Sequence, residues 1–148
     1  MRYKKIINDP VYGFISIPEG LIFDLIEHPF FQRLRYIKQV GLSHYVYPGA
    51  LHTRFHHAIG AMHLALRACS ILRNKGIEIS DEETEALAAA MLLHDIGHGP
   101  FSHALEFKLV SISHEEISLM IMHHLNEEFN GALDSCIAMY RGEYHRKF

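Results

Sequence analysis

Apolar residues recur at intervals of three and four along most of this chain, so helices are the first expectation. From Arg54 to about Asn74, Phe55, Ile59, Met62, Leu66, Cys69 and Leu72 share one face, and Gly76 suits the cap that follows. Ser80 with Glu83 is a capping box that opens a helix running to His94. Ala86 to Leu93 is apolar nearly all round, which makes that helix central and buried. Ser113 and Glu116 repeat the box for a helix from His114 to about Phe129, which Asn130-Gly131 ends, and Leu133–Tyr140 suits a last short helix. Upstream, Leu21–Ile26 reads as a short helix ending near Pro29. A second helix is predicted from Phe30 to Val40, with Phe31, Leu34 and Ile37 inward and Gln32, Arg33, Arg35 and Lys38 on a solvated outer face. Gly41–Thr53 reads as a loop and Ser102–Val110 as a shorter helical piece. Residues 1–19 carry turn residues between β-branched runs, which predicts an extended arm or small hairpin. The expected fold is mainly α, a single domain over 1–148 with that arm inside it. No repeat, low-complexity stretch or internal linker interrupts it.

Composition adds three points. A chain of 148 residues, 49% hydrophobic, with mean hydropathy +0.01, is long enough to bury a core, and no apolar run is long enough for a membrane span. A formal charge of −3 gives no bulk basic signature, so nucleic acid is not indicated, while a local basic pocket stays open. Cys69 and Cys136 lack metal-type spacing and no secretory segment is present, which points to a reducing cytoplasm.

Histidine is the outlier, at 13 residues. The stretch Met91–His103 drives an apolar helix into His94-Asp95, then places His98 and His103 on a turn containing Gly97, Gly99 and Pro100. A solvated Asp with a His at the negative end of the helix dipole explains His94-Asp95 alone. With His98 and His103 following and His57 upstream, a metal ion explains it better, because it offsets the desolvation of charged groups ending a buried helix. His57, His94 and Asp95 form a ligand set that suits Mn, Fe, Ni or Zn without choosing among them, and Mg also stays open. Arg54 lies three residues before His57, on the same helical face. His98 and His103 are placed to donate to phosphoryl oxygens or to transfer protons. His114, oriented by Glu115, is a candidate acid. No glycine-rich phosphate loop, dinucleotide fingerprint or nucleophilic serine elbow is present, which favours metal-assisted attack by water over a covalent route. His28, His44, His63, His123, His124 and His145 read as structural, and His56 points to a different surface from His57.

In order, Ile7-Asn8-Asp9-Pro10, Phe31 through Gln39, Tyr47-Pro48-Gly49-Ala50, Thr53-Arg54-Phe55, His57 and His94 through His103 resemble the HD superfamily of metal-dependent phosphohydrolases, and within it the dNTP triphosphohydrolase branch. That resemblance implies a helical HD domain that hydrolyses a deoxynucleoside triphosphate at the α-phosphate, giving deoxynucleoside and triphosphate. It implies His57, His94 and Asp95 as metal ligands, and Arg54, His98 and His103 on the phosphates. His114 corresponds to the general acid beside Glu115. Gln39 and Val40 fall against the sugar, Val40 in place of a leucine, where apolar packing at C2′ leaves a ribose hydroxyl without a partner. Lys5, Ile6, Asn8, Gln32 and Arg35 match an effector-nucleotide site, in which Glu27 replaces a guanine-reading Asp. Glu106 stands where an Asp often orients the acid. The resemblance also implies a homo-oligomer. The family's fourth metal ligand belongs to a downstream segment resembling Asp-x-Asp-x-x-Asp-Tyr. None follows here, and Asp134 has a different context. The expectation is therefore the N-terminal part of a longer protein, or a site completed by water or another chain. Two other readings stand beside the triphosphohydrolase. One is an HD phosphohydrolase of nucleoside monophosphates or cyclic nucleotides, which has no need for the long Gln32–Gln39 and Tyr47–Arg54 blocks. The other is a non-catalytic nucleotide-binding module, consistent with the missing Asp.

Overall fold

The computed structural model describes residues 2–104 and 111–145. Tyr3–Asp9 (β1) and Gly13–Pro18 (β2) pair antiparallel, with Ile7 opposite Ile15 and Asp9 opposite Gly13. The Asp9 carboxylate closes the turn by accepting the amides of Val11 and Tyr12 at 2.8 and 2.9 Å. The arm is thus a hairpin, and its inner face belongs to the core: Ile15 and Ile17 are fully buried with Ile22, Leu25 and Leu34.

Helices follow at Leu21–Glu27 (α1), Pro29–Gln32 (α2), Arg54–Asn74 (α3), Asp81–Leu93 (α4), His114–Glu128 (α5) and Asp134–Tyr140 (α6). The fold is mainly α, as expected. α4 lies at its centre, packed between α3 and α6. Ala88 and Ala89 are fully buried along it and let neighbouring backbones approach, while Leu92 and Leu93 fill the space near its end. Both capping boxes form. Ser80 Oγ accepts the Glu83 amide at 3.0 Å and Ser113 Oγ accepts the Glu116 amide at 3.2 Å, with each Glu carboxylate returning to its serine amide. At α3 a histidine takes the Glu role: the Thr53 amide donates to His56 Nδ1 at 3.3 Å, which gives His56 a structural task. Leu72, expected on the buried face of α3, is 41% exposed.

The predicted helix from Phe30 to Val40 is not continuous. After α2 the chain tightens into a 3-10 turn at Arg33–Tyr36, and Ile37 is extended. The competing partner is the segment before α3. Lys38 bridges Thr53, the Gln39 amide donates to His52 O at 3.1 Å, and the Arg54 amide donates to Ile37 O at 2.9 Å. These bonds satisfy backbone groups that a longer helix would have used internally, and they anchor the first turn of α3. Nor is the outer face of that segment simply solvated. Arg35 stacks 3.7 Å from the Phe55 ring, Lys38 donates to Leu51 O, and Arg33 turns inward. Of the piece expected at Ser102–Val110, Ser102–Ala104 forms a 3-10 turn, and residues 105–110, Glu106 among them, lie outside the described residues. Among the described residues no helix is long and apolar enough to cross a membrane.

Candidate functional site

α4 stops at Leu93, and the next five residues make a tight turn that carries the site. His94 Nδ1 donates to Met91 O at 2.8 Å, a bond that holds the ring and leaves its Nε2 lone pair facing outward. Arg54 and His57, on the first turn of α3, meet it. His57 Nε2 lies 3.1 Å from His94 Nε2, and each lies 3.6 Å from Asp95 Oδ2. Ligand bonds of about 2.1 Å, spread at tetrahedral to octahedral angles, separate their donor atoms by roughly 3.0–3.4 Å. The three donors therefore fit one divalent ion after shifts of a few tenths of an ångström. Two imidazoles and a carboxylate are also the right chemistry for a transition metal.

Asp95 is the electrostatic hinge of the site. Its Oδ2 also accepts from Arg54 Nη1, and its Oδ1 lies 3.7 Å from His98 Nε2. Burial opposes ionisation of Asp95, but its neighbours, His94 first and then the guanidinium of Arg54, outweigh it and hold the carboxyl below its usual range. His57 is shifted down, first by burial and then by His94. His98 is pushed down to about 3, first by burial and then by the guanidinium of Arg54, so it is neutral at physiological pH.

A second group adjoins the first through that Asp95–His98 contact. The rings of His98 and His114 stack 3.9 Å apart at 18°, and His103 stands edge-on to both, at 4.8 and 5.0 Å. His114 Nε2 lies 3.3 Å from Glu115 Oε1. His103 comes back toward His98 over a turn in which Phe101 adopts φ 65°, a left-handed conformation uncommon outside glycine. The structure thus gathers His57, His94, Asp95, Arg54, His98, His103 and His114 at one end of α4. Glu115 reaches His114 from a largely exposed position.

Gly97 serves proximity rather than backbone freedom. A Cβ there would stand 2.2 Å from His114 O and 2.5 Å from the Ser118 amide. Its absence lets the turn lie directly on α5 and brings His98 against His114. Ser118 Oγ, fully buried, accepts the Gly97 amide at 2.8 Å and donates to His94 O at 3.1 Å. Arg33 Nη1 donates to His98 O at 2.7 Å and Nη2 donates to Ile96 O. Burial lowers the Arg33 pKa from its ordinary value. Sequence reasoning missed both residues. Ser118 left a faint signal, a small polar residue one helical turn after His114 on a face otherwise apolar. Arg33 left none, because its partners lie more than sixty residues away.

The other expected residues lie nearby or elsewhere. Gln39 is tied to His52, and Val40 precedes Gly41, which abuts the Phe101 backbone. That places both beside the turn carrying His103. Lys5 pairs with Glu27 at 2.7 Å, and Gln32 donates to Ile26 O at 2.6 Å while accepting from Arg35 Nε at 2.7 Å, so these four meet at the end of α1. Strand alternation puts Ile6 and Asn8 on the opposite face of β1 from Lys5. Asp134 opens α6 and accepts from Asn126 at 2.7 Å, and it is not in the His57–His94–Asp95 group. An apolar groove of about 1030 Å³ runs from His57 between Leu64, Leu87 and Met91 to the hairpin turn at Val11 and Tyr12.

Comparison with known proteins matches residues 54–142 to the HD domain family. The deoxynucleoside triphosphate triphosphohydrolase SAMHD1 of Bos taurus is 42% identical over 130 residues, which cover 82% of this chain and 22% of that protein. The uncharacterized protein YwfO of Bacillus subtilis is 41% identical over 115 residues, covering 78% of this chain and 26% of its own length. A crystal structure of a phosphohydrolase from Bacteroides thetaiotaomicron superposes with a TM-score of 0.92 at 58% identity, covering 95% of this chain and 35% of that one. The chain therefore spans between a fifth and about a third of the length of the proteins it resembles. The family match covers more than half of the chain and takes in His57, His94 and Asp95; the chain belongs to the HD domain family, in the superfamily of metal-dependent phosphohydrolases.

Proposed function

We propose that this protein hydrolyses deoxynucleoside triphosphates to deoxynucleoside and triphosphate, with one divalent ion held by His57, His94 and Asp95. The observation that carries the reading is the meeting of the three ligand atoms with Arg54 and the His98–His114 pair across one carboxylate, Asp95. An ion bound there supplies Lewis-acid polarisation of a phosphoryl oxygen and a more acidic water. The remaining work falls to the chain's own side chains. Arg54, 3% exposed and aligned by Asp95, presents fixed positive charge to the phosphates. His98, kept neutral, offers a hydrogen bond without a competing charge, and His103 stands beside it to contact the phosphates. His114, steadied by Glu115, delivers a proton to the leaving 5′ oxygen. Gln39 and Val40, flanking the turn that carries His103, meet the sugar. The activity for which the SAMHD1 relatives are named supports the choice of dNTP within the wider superfamily.

Homo-oligomerisation and an effector nucleotide at Lys5, Ile6, Asn8, Gln32 and Arg35 belong to the same proposal. The deciding experiment incubates the full-length protein with each dNTP and Mn²⁺ or Mg²⁺ and identifies products by phosphorus NMR. Inorganic triphosphate with free deoxynucleoside is expected. Pyrophosphate or single phosphate as the only product removes the reading in favour of another HD phosphohydrolase. Nucleotide bound without turnover marks a binding module.

A further inference from the structure

Beyond the end of α4, buried backbone carbonyls of the turn at 94–98 need donors, and Arg33 supplies them. Its guanidinium spans two of them at once, Nη1 on His98 O at 2.7 Å and Nη2 on Ile96 O. Ile96 directly follows the ligand Asp95, and His98 is the residue stacked on His114. On the opposite side Ser118 grips His94 O and the Gly97 amide. The turn 94–98 is thus clamped between a planar cation from the 3-10 turn after α2 and a hydroxyl from α5. Buried Ile96 and the turn's own backbone bonds fix its inner side, and Arg33 is the side chain that holds the carbonyls of Ile96 and His98.

We infer that Arg33 is a positioning residue for the metal ligands and for His98, acting through the Ile96 and His98 carbonyls and touching neither metal nor substrate. The inference rests on the proposed metal site, though not on the identity of the substrate. The planar fork is the essential feature. An ammonium at the same place keeps the charge but cannot hold two carbonyls in fixed directions, so lysine is not an equivalent.

Two measurements test this on the full chain, neither requiring turnover. In Arg33→Lys, Mn²⁺ affinity is expected to fall about tenfold, as when an outer partner of a metal ligand is lost, with a changed Mn²⁺ electron paramagnetic resonance line shape. In the unmutated protein, the Arg33 Nη resonances are expected in slow exchange, with through-hydrogen-bond couplings to the Ile96 and His98 carbonyl carbons. Where dNTP hydrolysis is observed, Arg33→Lys should lower kcat by about 10- to 100-fold, as expected for misplaced reacting groups, with KM changed less than threefold. A wild-type protein that binds no divalent ion, an R33K protein with unaltered affinity and line shape, or a freely rotating Arg33 guanidinium each overturns the inference. Absence of dNTP turnover in a wild type that binds Mn²⁺ normally overturns the proposed substrate instead.

Discussion

The Gly97 amide donates to the buried hydroxyl of Ser118 at 2.8 Å, and that same hydroxyl donates to the His94 carbonyl at 3.1 Å. One side chain of α5 thereby joins both sides of the turn that carries Asp95. Ser118→Ala leaves the Gly97 amide and the His94 carbonyl without this partner inside the protein. The expected loss of unfolding free energy is about 1–3 kcal/mol, read by urea denaturation. Gly97→Ala should cost at least as much, because its Cβ would meet backbone rather than a yielding side chain. A Gly97→Ala protein as stable as the wild type would show that α5 can retreat from the turn.

Asp95 has two tasks to separate, its place in the proposed metal site and its pair with the buried Arg54. Asp95→Ala and Asp95→Asn should both abolish tight Mn²⁺ binding, measured by metal content after dialysis, and so should His57→Ala and His94→Ala. They should differ in stability. Alanine leaves the Arg54 guanidinium buried and unopposed by its carboxylate, costing about 3–5 kcal/mol, whereas the asparagine amide oxygen still accepts a hydrogen bond. Equal melting temperatures for the two variants would place the weight of the Arg54–Asp95 pair elsewhere.

How much of this was legible in the sequence follows from the range of the forces involved. Capping boxes at Ser80 and Ser113 are local, and both form where residue order places them. The convergence of His57 with His94 and Asp95 was readable through the family resemblance, which packing α3 on the apolar α4 allows and does not by itself fix. The end of α2 was not, since Phe31, Leu34 and Ile37 have helical spacing and the competing partners at 52–54 are set by tertiary pairing. The same limit hid Arg33, whose sequence neighbours resemble any polar helix face. Gly97 was seen as a turn residue, whereas its role is contact with α5, a fact held in another element.

Loading the metal should stabilise the folded state, because ligands assembled from α3 and the end of α4 are dispersed in the unfolded chain. At a free Mn²⁺ concentration one hundred times the dissociation constant, the gain is about 2.7 kcal/mol. Differential scanning calorimetry should show a rise in Tm on adding Mn²⁺, reversed by chelator and absent in His94→Ala. A wild-type Tm indifferent to Mn²⁺ would argue against the ligand set.

Cys136 is 1% exposed, and burial pushes its thiol up to about 12. Its thiolate is therefore scarce at ordinary pH as well as shielded. Iodoacetamide at about pH 8 should leave Cys136 unmodified in the native protein and label it fully in denaturant, followed by mass spectrometry. Rapid native labelling would mean that α6 opens from α4 far more often than its packing implies.

The metal-free protein should lose stability in acid, and His98 gives the sign. Its folded pKa of about 3 lies below the ordinary value of about 6.5 in the unfolded chain. Between those values the unfolded state takes up a proton that the folded state refuses, so unfolding becomes easier as pH falls through that window. The slope is at most about 1.4 kcal/mol per pH unit. The depressed His57 adds in the same direction, while Asp95, also depressed, adds its loss only at more acidic pH, below its unfolded value. Urea denaturation in chelator at about pH 7, 5.5 and 4.5 should show this decline. His98→Gln cannot take up the proton in either state, so its curve should be flatter over the same range. An unchanged slope in His98→Gln would mean that His98 takes up its proton in the folded state as readily as in the unfolded chain, and with it would go the picture of a neutral imidazole held between Arg54 and His114.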